Sequence, residues 1–334
     1  MTINSVPKSR RFWRSAAAVM AVAVLLFLFS RYLMFWLEVP GVDALIGHFG
    51  EEQATLETSQ LLQTAGFIVF CIVVCGYLLR KVKSTPDVTL QKDSEKYARW
   101  AAYIVRAAFW SIFLVGIVDG VISFLRIENL LTPMVGETMS QNLDQARWRG
   151  TFVHYPIIAL SMVIAWFSRS LGFIWLAFLV VIAEFGIVLS SFIFSYEQAF
   201  MGDLVRFWYA GLFLFASAYT LVEGGHVRVD VLYAGLHRRT KAWVNTIGCL
   251  LLGLPLCWTI LTLGMDTKQS SLISPIYNFE MSQSGYGMYV KYLMASFLVV
   301  FAASMAFQFI SYLLNNIAII TNEPGSEALE GGEE

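Results

Sequence analysis

Residues 204–233, LVRFWYAGLFLFASAYTLVEGGHVRVDVLY, decide the fold. The first part is apolar and aromatic. It is long enough to form a membrane-spanning helix, which needs about 20 residues to cross the hydrocarbon. The chain then meets Gly224 and Gly225 and releases His226, Arg228 and Asp230 in quick succession. Ionised groups are tolerated at the water boundary and costly in hydrocarbon. The stretch therefore reads as a span that ends in a polar docking surface.

Outward from it, similar apolar runs recur along the whole 334-residue chain, which is 57% hydrophobic and only 14% charged. Soluble domains carry roughly 25% charged residues. The composition excludes a globular enzyme on one anchor and predicts an all-α, polytopic membrane bundle. Eight transmembrane helices are expected, at roughly 14–37, 61–79, 100–126, 151–168, 171–195, 204–222, 242–265 and 290–316. The runs are continuous rather than alternating, which favours helices over a barrel. A net charge of -1 gives no nucleic-acid signal.

Orientation follows from the cations. Fifteen Lys and Arg residues lie on one side, in the N-terminal tail, the 80–99 loop, the turn at Arg169 and the 223–241 loop. Six lie opposite: Arg126, Arg147, Arg149, Arg206, Lys268 and Lys291. The positive-inside rule places both termini in the cytoplasm, as an even number of spans requires. The basic N-terminus before an apolar run resembles a signal peptide, but no small-residue cleavage site follows, so an uncleaved first span is expected. The Gly- and Glu-rich segment 323–334 reads as a disordered, solvated acidic tail.

Ionisable residues inside spans are functional hypotheses by default. Glu184 sits near the middle of the fifth span, with pairing inside the bundle favoured over a proton or ion relay. Asp119 lies beside Gly116 and Gly120, a small-residue face that permits close helix approach. Arg106 is near enough to the cytoplasmic end to snorkel. Cys71, Cys75, Cys249 and Cys257 all lie in apolar runs and read as packing residues. His48, His154, His226 and His237 do not face each other within spans, as haem ligation would require. No nucleophile elbow, phosphate loop or zinc-protease motif is present. The expectation is no catalytic residue, no metal and no cofactor.

Segment 226–232 alternates polar and apolar residues, as a strand would. A lone strand at a membrane surface has no backbone partner, so an interfacial helix is preferred. As a helix it sets His226, Asp230, Tyr233 and His237 on one stripe. Docking is favoured over a solvated basic loop that only sets topology.

On these residues, 171–316 resembles the small membrane subunit (the Q component) of tripartite ATP-independent periplasmic (TRAP) transporters. The resemblance rests on the aromatic run Phe207–Leu221 followed by Gly225–Tyr233. Where the family often has an Arg at the outer end of its first span, this chain reads Ser190, Ser191 and Phe192. The chain then divides into a four-span region at 1–168 that is extra to the family core, the small-permease core at 169–322, and the tail at 323–334. The resemblance implies a non-enzymatic, multi-pass subunit of the bacterial inner membrane. It would scaffold a large membrane subunit in sodium-driven uptake of an organic acid delivered by a periplasmic substrate-binding protein. The expected partners are those two proteins and membrane lipid. His226, Arg228, Asp230 and Tyr233 would form the docking surface. The alternative is a self-sufficient secondary carrier that uses Glu184 and Asp119.

Overall fold

The computed structural model describes residues 8–42, 57–169, 173–195, 199–222, 233, 235–281 and 287–323. Among them the ordered elements are helical, and no strand occurs. In chain order they are α1 (Lys8–Trp36), α2 (Thr58–Ser84), α3 (Leu90–Ile127), α4 (Leu131–Val135) and α5 (Glu137–Leu143). Then follow α6 (Ala146–Phe167), α7 (Phe173–Phe194), α8 (Ala199–Val222), α9 (Arg238–Gly264), α10 (Ile273–Asn278) and α11 (Lys291–Ile320).

Seven helices in the described residues are both long and apolar enough to cross a membrane: α1, α2, α3, α6, α7, α9 and α11. The remaining span of the sequence reading is α8, a helix of 24 residues, sufficient by length. Most helices overrun the apolar windows. The 38 residues of α3 extend about 57 Å at 1.5 Å per residue, well beyond a hydrocarbon core of roughly 30 Å. Polar first turns such as Lys92, Asp93 and Lys96 therefore continue the helix into the aqueous layer. Hydropathy alone could not see this, because it marks where apolar sequence stops rather than where helix stops.

The chain forms two compact units. The first comprises Met1–Ala98, Val229–Pro255 and Phe309–Glu334. Here α1 packs along α2, with Phe29 against Phe67 and Phe70. Polar ties hold the cytoplasmic ends. Arg14 is only 3% exposed; its Nε donates to Asp93 Oδ2 at 2.7 Å and its Nη groups to the Thr85 carbonyl and hydroxyl. Ser94 and Ser311 exchange bonds, each hydroxyl donating to the other's carbonyl at 2.8 Å. Glu323 opens the acidic tail in sequence, yet it is buried. It pairs with Arg10 and accepts the Leu90 N–H at 2.9 Å, at the N-terminus of α3. A carboxylate there satisfies an otherwise unpaired amide and faces the positive end of the helix dipole. Residues 324–334 lie outside the described residues.

Arg14 counts in sequence only as an orientation charge, whereas here it is a buried connector. Arg14→Met should cost about 1.5–3 kcal/mol, the range for hydrogen bonds to charged groups. A lower thermal unfolding midpoint of the detergent-purified chain would report it, and an unchanged midpoint would refute the connector role.

The second unit comprises Arg99–Arg228 and Leu256–Gln308. Its centre is the crossing of α3 and α8. Gly116 lies under the indole of Trp208, and Gly211 faces Ile112. The Trp208 Nε1–H donates to the Ile112 carbonyl at 3.3 Å. Gly120 faces Leu204 and Phe200. Small residues allow this approach because lipid supplies no hydrophobic drive between helices, and close packing must do so instead. Phe297 of α11 fills the next layer, 5.3 Å from Phe207 and 5.2 Å from Phe215 between ring centres.

Candidate functional site

The buried polar groups of the second unit converge on Asp119. Its side chain is 0% exposed and lies in α3, a helix otherwise apolar at this level. A carboxylate in such a place requires donors, and three come from two other segments of the chain. Oδ1 accepts the Arg149 Nη1–H at 3.0 Å and lies 3.0 Å from His154 Nε2. Oδ2 accepts the Tyr289 backbone N–H at 2.9 Å. His154 Nδ1 is 2.8 Å from the Tyr292 hydroxyl, which can donate to it when Nε2 carries the proton. With His154 neutral the cluster has no net charge.

Arg149 and His154 are both fully buried. Arg149 immediately precedes a π-helical turn within α6, Gly150–His154, and His154 is its last residue. Hydrogen bonding from i to i+5 widens the helix and brings residues five apart closer to one face. Arg149 Nε donates to the Leu143 carbonyl at 2.7 Å, and its guanidinium stacks 4.0 Å over the Tyr289 ring. Arg126 approaches the same ring from α3 at 4.7 Å, bonds the Tyr289 hydroxyl, and donates to the Gly287 carbonyl at 2.9 Å. A second carboxylate, Asp203 in α8, accepts the Met288 N–H at 3.1 Å. The 287–290 segment entering α11 is thus held by Asp119, Asp203, Arg126 and Arg149 together.

Such an arrangement immobilises rather than transports. Asp119 is saturated by protein donors, so no oxygen is presented to a solute. Buried charges that are paired and fully hydrogen-bonded stay put, because every displacement leaves a costly orphan. Arg149 Nη2 is buried without an acceptor among the described residues.

The sequence reading singled out Asp119 and its glycine neighbours but missed its partners. Arg149 was counted as an orientation charge and His154 was set aside with the other histidines as facing none of them within the spans. One available signal was balance: an intramembrane acid needs donors at its own depth, and Arg149 and His154 start the next span. Glu184 is on the exposed face of α7, with no partner among the described residues, so it does not join Asp119. Arg106 is half-buried and donates from Nε to the Ala165 carbonyl at 3.4 Å, toward the cytoplasmic end of α6. This is the snorkelling direction for a side chain that leans to its helix N-terminus. His226, Arg228 and Asp230 lie outside the described residues. Tyr233 donates to Asn245 Oδ1 at 3.0 Å, and Asn245 Nδ2 donates to Asn316 Oδ1 at 3.2 Å, which ties Tyr233 through α9 to the end of α11.

Residues 178–318 match the family model described as tripartite ATP-independent periplasmic transporters, DctQ component. This part of the chain is DctQ-like. No curated protein and no solved structure matches it. The DctQ-like match begins in α7 and ends in α11, covering less than half of the chain. The likeness is to a component of a transporter family rather than of an enzyme family, and seven helices among the described residues are long and apolar enough to cross a membrane. The match also gives the buried cluster a meaning. Asp119, Arg149 and His154 precede it, whereas Asp203, Tyr289 and Tyr292 lie within it. The cluster therefore fastens α3 and α6, which precede the match, to the start of α11 within it.

Proposed function

We propose that the DctQ-like chain is a static frame for a large membrane subunit. That subunit would carry out sodium-driven uptake of an organic acid handed over by a periplasmic binding protein. The observation that carries this reading is the outward face of α7. Only 11% of its apolar window is buried within the chain. Ile174, Phe178, Val181, Phe185, Val188 and Phe192 are all exposed at alternating spacings of four and three. That is the repeat of a helix-packing seam. Glu184 stands on the flank of this seam, exposed and without a partner among the described residues. A carboxylate at mid-span is costly against lipid, so it calls for a hydrogen-bond donor on a neighbouring membrane helix. A second subunit supplies one naturally. Helices α3 and α6, fastened by the Asp119 cluster, enlarge the frame. His226, Arg228 and Asp230 are assigned to cytoplasmic docking on the strength of the motif alone.

Two measurements test this. The chain reconstituted alone in vesicles should show no sodium-driven solute uptake, and uptake should appear when the large subunit and binding protein are added. Uptake by the lone chain would establish the self-sufficient carrier instead. In co-purification with the large subunit, Glu184→Leu should reduce recovery several-fold and Glu184→Gln should retain most of it, since an amide still hydrogen-bonds. Recovery unaffected by Glu184→Leu would remove α7 from the interface. Arg228→Ala and Asp230→Ala should likewise weaken recovery, and wild-type recovery for both would remove the cytoplasmic motif from it.

A further inference from the structure

The acid that follows α11 is already docked. Glu323 pairs with Arg10 of α1, accepts the Leu90 N–H at 2.9 Å and is 7% exposed. The ending of α11 sets it there. Asn322 takes a left-handed backbone, with φ at 51°, and its N–H donates to the Ile319 carbonyl at 3.2 Å. The Glu323 N–H donates to the Ala318 carbonyl at 3.0 Å. These two bonds are a Schellman ending, which turns the chain sharply out of a helix. The chain past α11 therefore departs from a fixed root, beside the first turns of α1 and α3.

Cations lie close to that root. Arg11 directly follows Arg10. On α3, Lys92 is two residues past Leu90, and Lys96 is about 9 Å past it at the helical rise per residue. All three are exposed, and none has an acidic partner among the described residues. Asp93, next to Lys92 in sequence, is taken by Arg14 at 2.7 Å. Residues 324–334 supply the opposite sign: they hold Glu327, Glu330, Glu333 and Glu334 and no Lys or Arg. A segment of that length spans at most about 36 Å when extended, so each of these cations is within its reach. A lone exposed ion pair contributes little. A tether changes the balance, because it keeps the acids at an effective concentration on the order of millimolar around the cations. The anionic headgroups of the cytoplasmic leaflet repel such a segment and compete with it for the same cations.

We propose that residues 324–334 form an acidic strap folded back over Arg11, Lys92 and Lys96, with Glu323 as its fixed first contact. The strap ties α1 and α3 to the end of α11 and withholds these cations from anionic headgroups. The inference stands on Glu323 and the exposed cations, not on the frame reading.

The test is zero-length carbodiimide coupling of the full-length, detergent-purified chain, with crosslinked peptides read by mass spectrometry from the monomer band. The ion pair Glu280–Lys291, at 2.9 Å, is the internal standard. Lys92 or Lys96 should couple to Glu327 or Glu330 with a yield comparable to that standard. The coupling should fall several-fold in about 1 M sodium chloride, where the screening length is about 3 Å. A second readout is the acetylation rate of the lysine amines. Changing Glu327, Glu330, Glu333 and Glu334 together to Gln should raise the rate at Lys92 and Lys96 several-fold and leave Lys291 unchanged. Coupling at the standard with none between the tail and α3, or equal acetylation of Lys92 and Lys96 in the two proteins, would overturn the proposal. Crosslinks to the tail confined to a dimer band would also overturn it, by placing the tail on a second copy. No large subunit enters the measurement, so its failure leaves the frame reading standing.

Discussion

Asp119→Ala should destabilise the second unit by about 3–5 kcal/mol, the usual result of removing one member of a buried ion pair. The reason is what remains. Arg149 is fully buried, and its remaining acceptors would be the Leu143 carbonyl and a Ser123 hydroxyl at 3.5 Å. His154 Nε2 and the Tyr289 N–H would also lose their acceptor. The 287–290 segment would loosen where α11 begins. The measurement is thermal or denaturant unfolding of the purified chain, with proteolysis near residue 287 as a local readout. A double-mutant cycle sharpens it: Asp119→Asn with Arg149→Met should cost much less than the sum of the two single changes, because the pair then leaves no unpaired charge. Additive losses would show that the two residues do not act together.

Gly150→Ala should also damage this unit, at about 1–3 kcal/mol from overpacking. A Cβ at this position would meet the Phe279 ring at 2.5 Å and the Tyr292 hydroxyl at 3.0 Å. Neither neighbour can yield cheaply. Both rings are buried and lie 5.1 Å apart, and Tyr292 is bonded to His154. The π turn that aims Arg149 and His154 at Asp119 begins at Gly150, so the same change should disturb the cluster. Gly66→Ala is the control, since a Cβ there meets nothing within 4 Å. Equal stability of the two variants would contradict the close packing around Gly150.

The sequence reading singled out Asp119 but neither its partners nor Gly150, and the reason is physical. Hydropathy reports the cost of placing a group in hydrocarbon, so it finds Asp119 and Glu184 as exceptions within apolar runs. It cannot say whether an exception is compensated. Asp119 is compensated by groups 30, 35 and 170 residues away in sequence. Glu184 has no such group among the described residues and faces outward. The same letter in the same kind of span thus has opposite circumstances, and tertiary contact alone distinguishes them. The small-residue face of α3 was legible because spacing is local, but its partner Trp208 was not.

The amino-acid sequence by itself determined the helical class, the positions of the spans, the predicted orientation and the family resemblance of the core. Each depends on local quantities: hydrophobic run length, the side on which cations fall, and the order of residues in one motif. Only the tertiary structure decided which buried charges are partners, that Glu323 caps α3 instead of opening a free tail, and where the second unit leaves an apolar cavity. Those depend on which segments meet across long stretches of chain. In a membrane every such meeting is set by shape and by satisfaction of polar groups, since lipid and side chain are equally apolar and one-dimensional hydrophobicity is silent about the match.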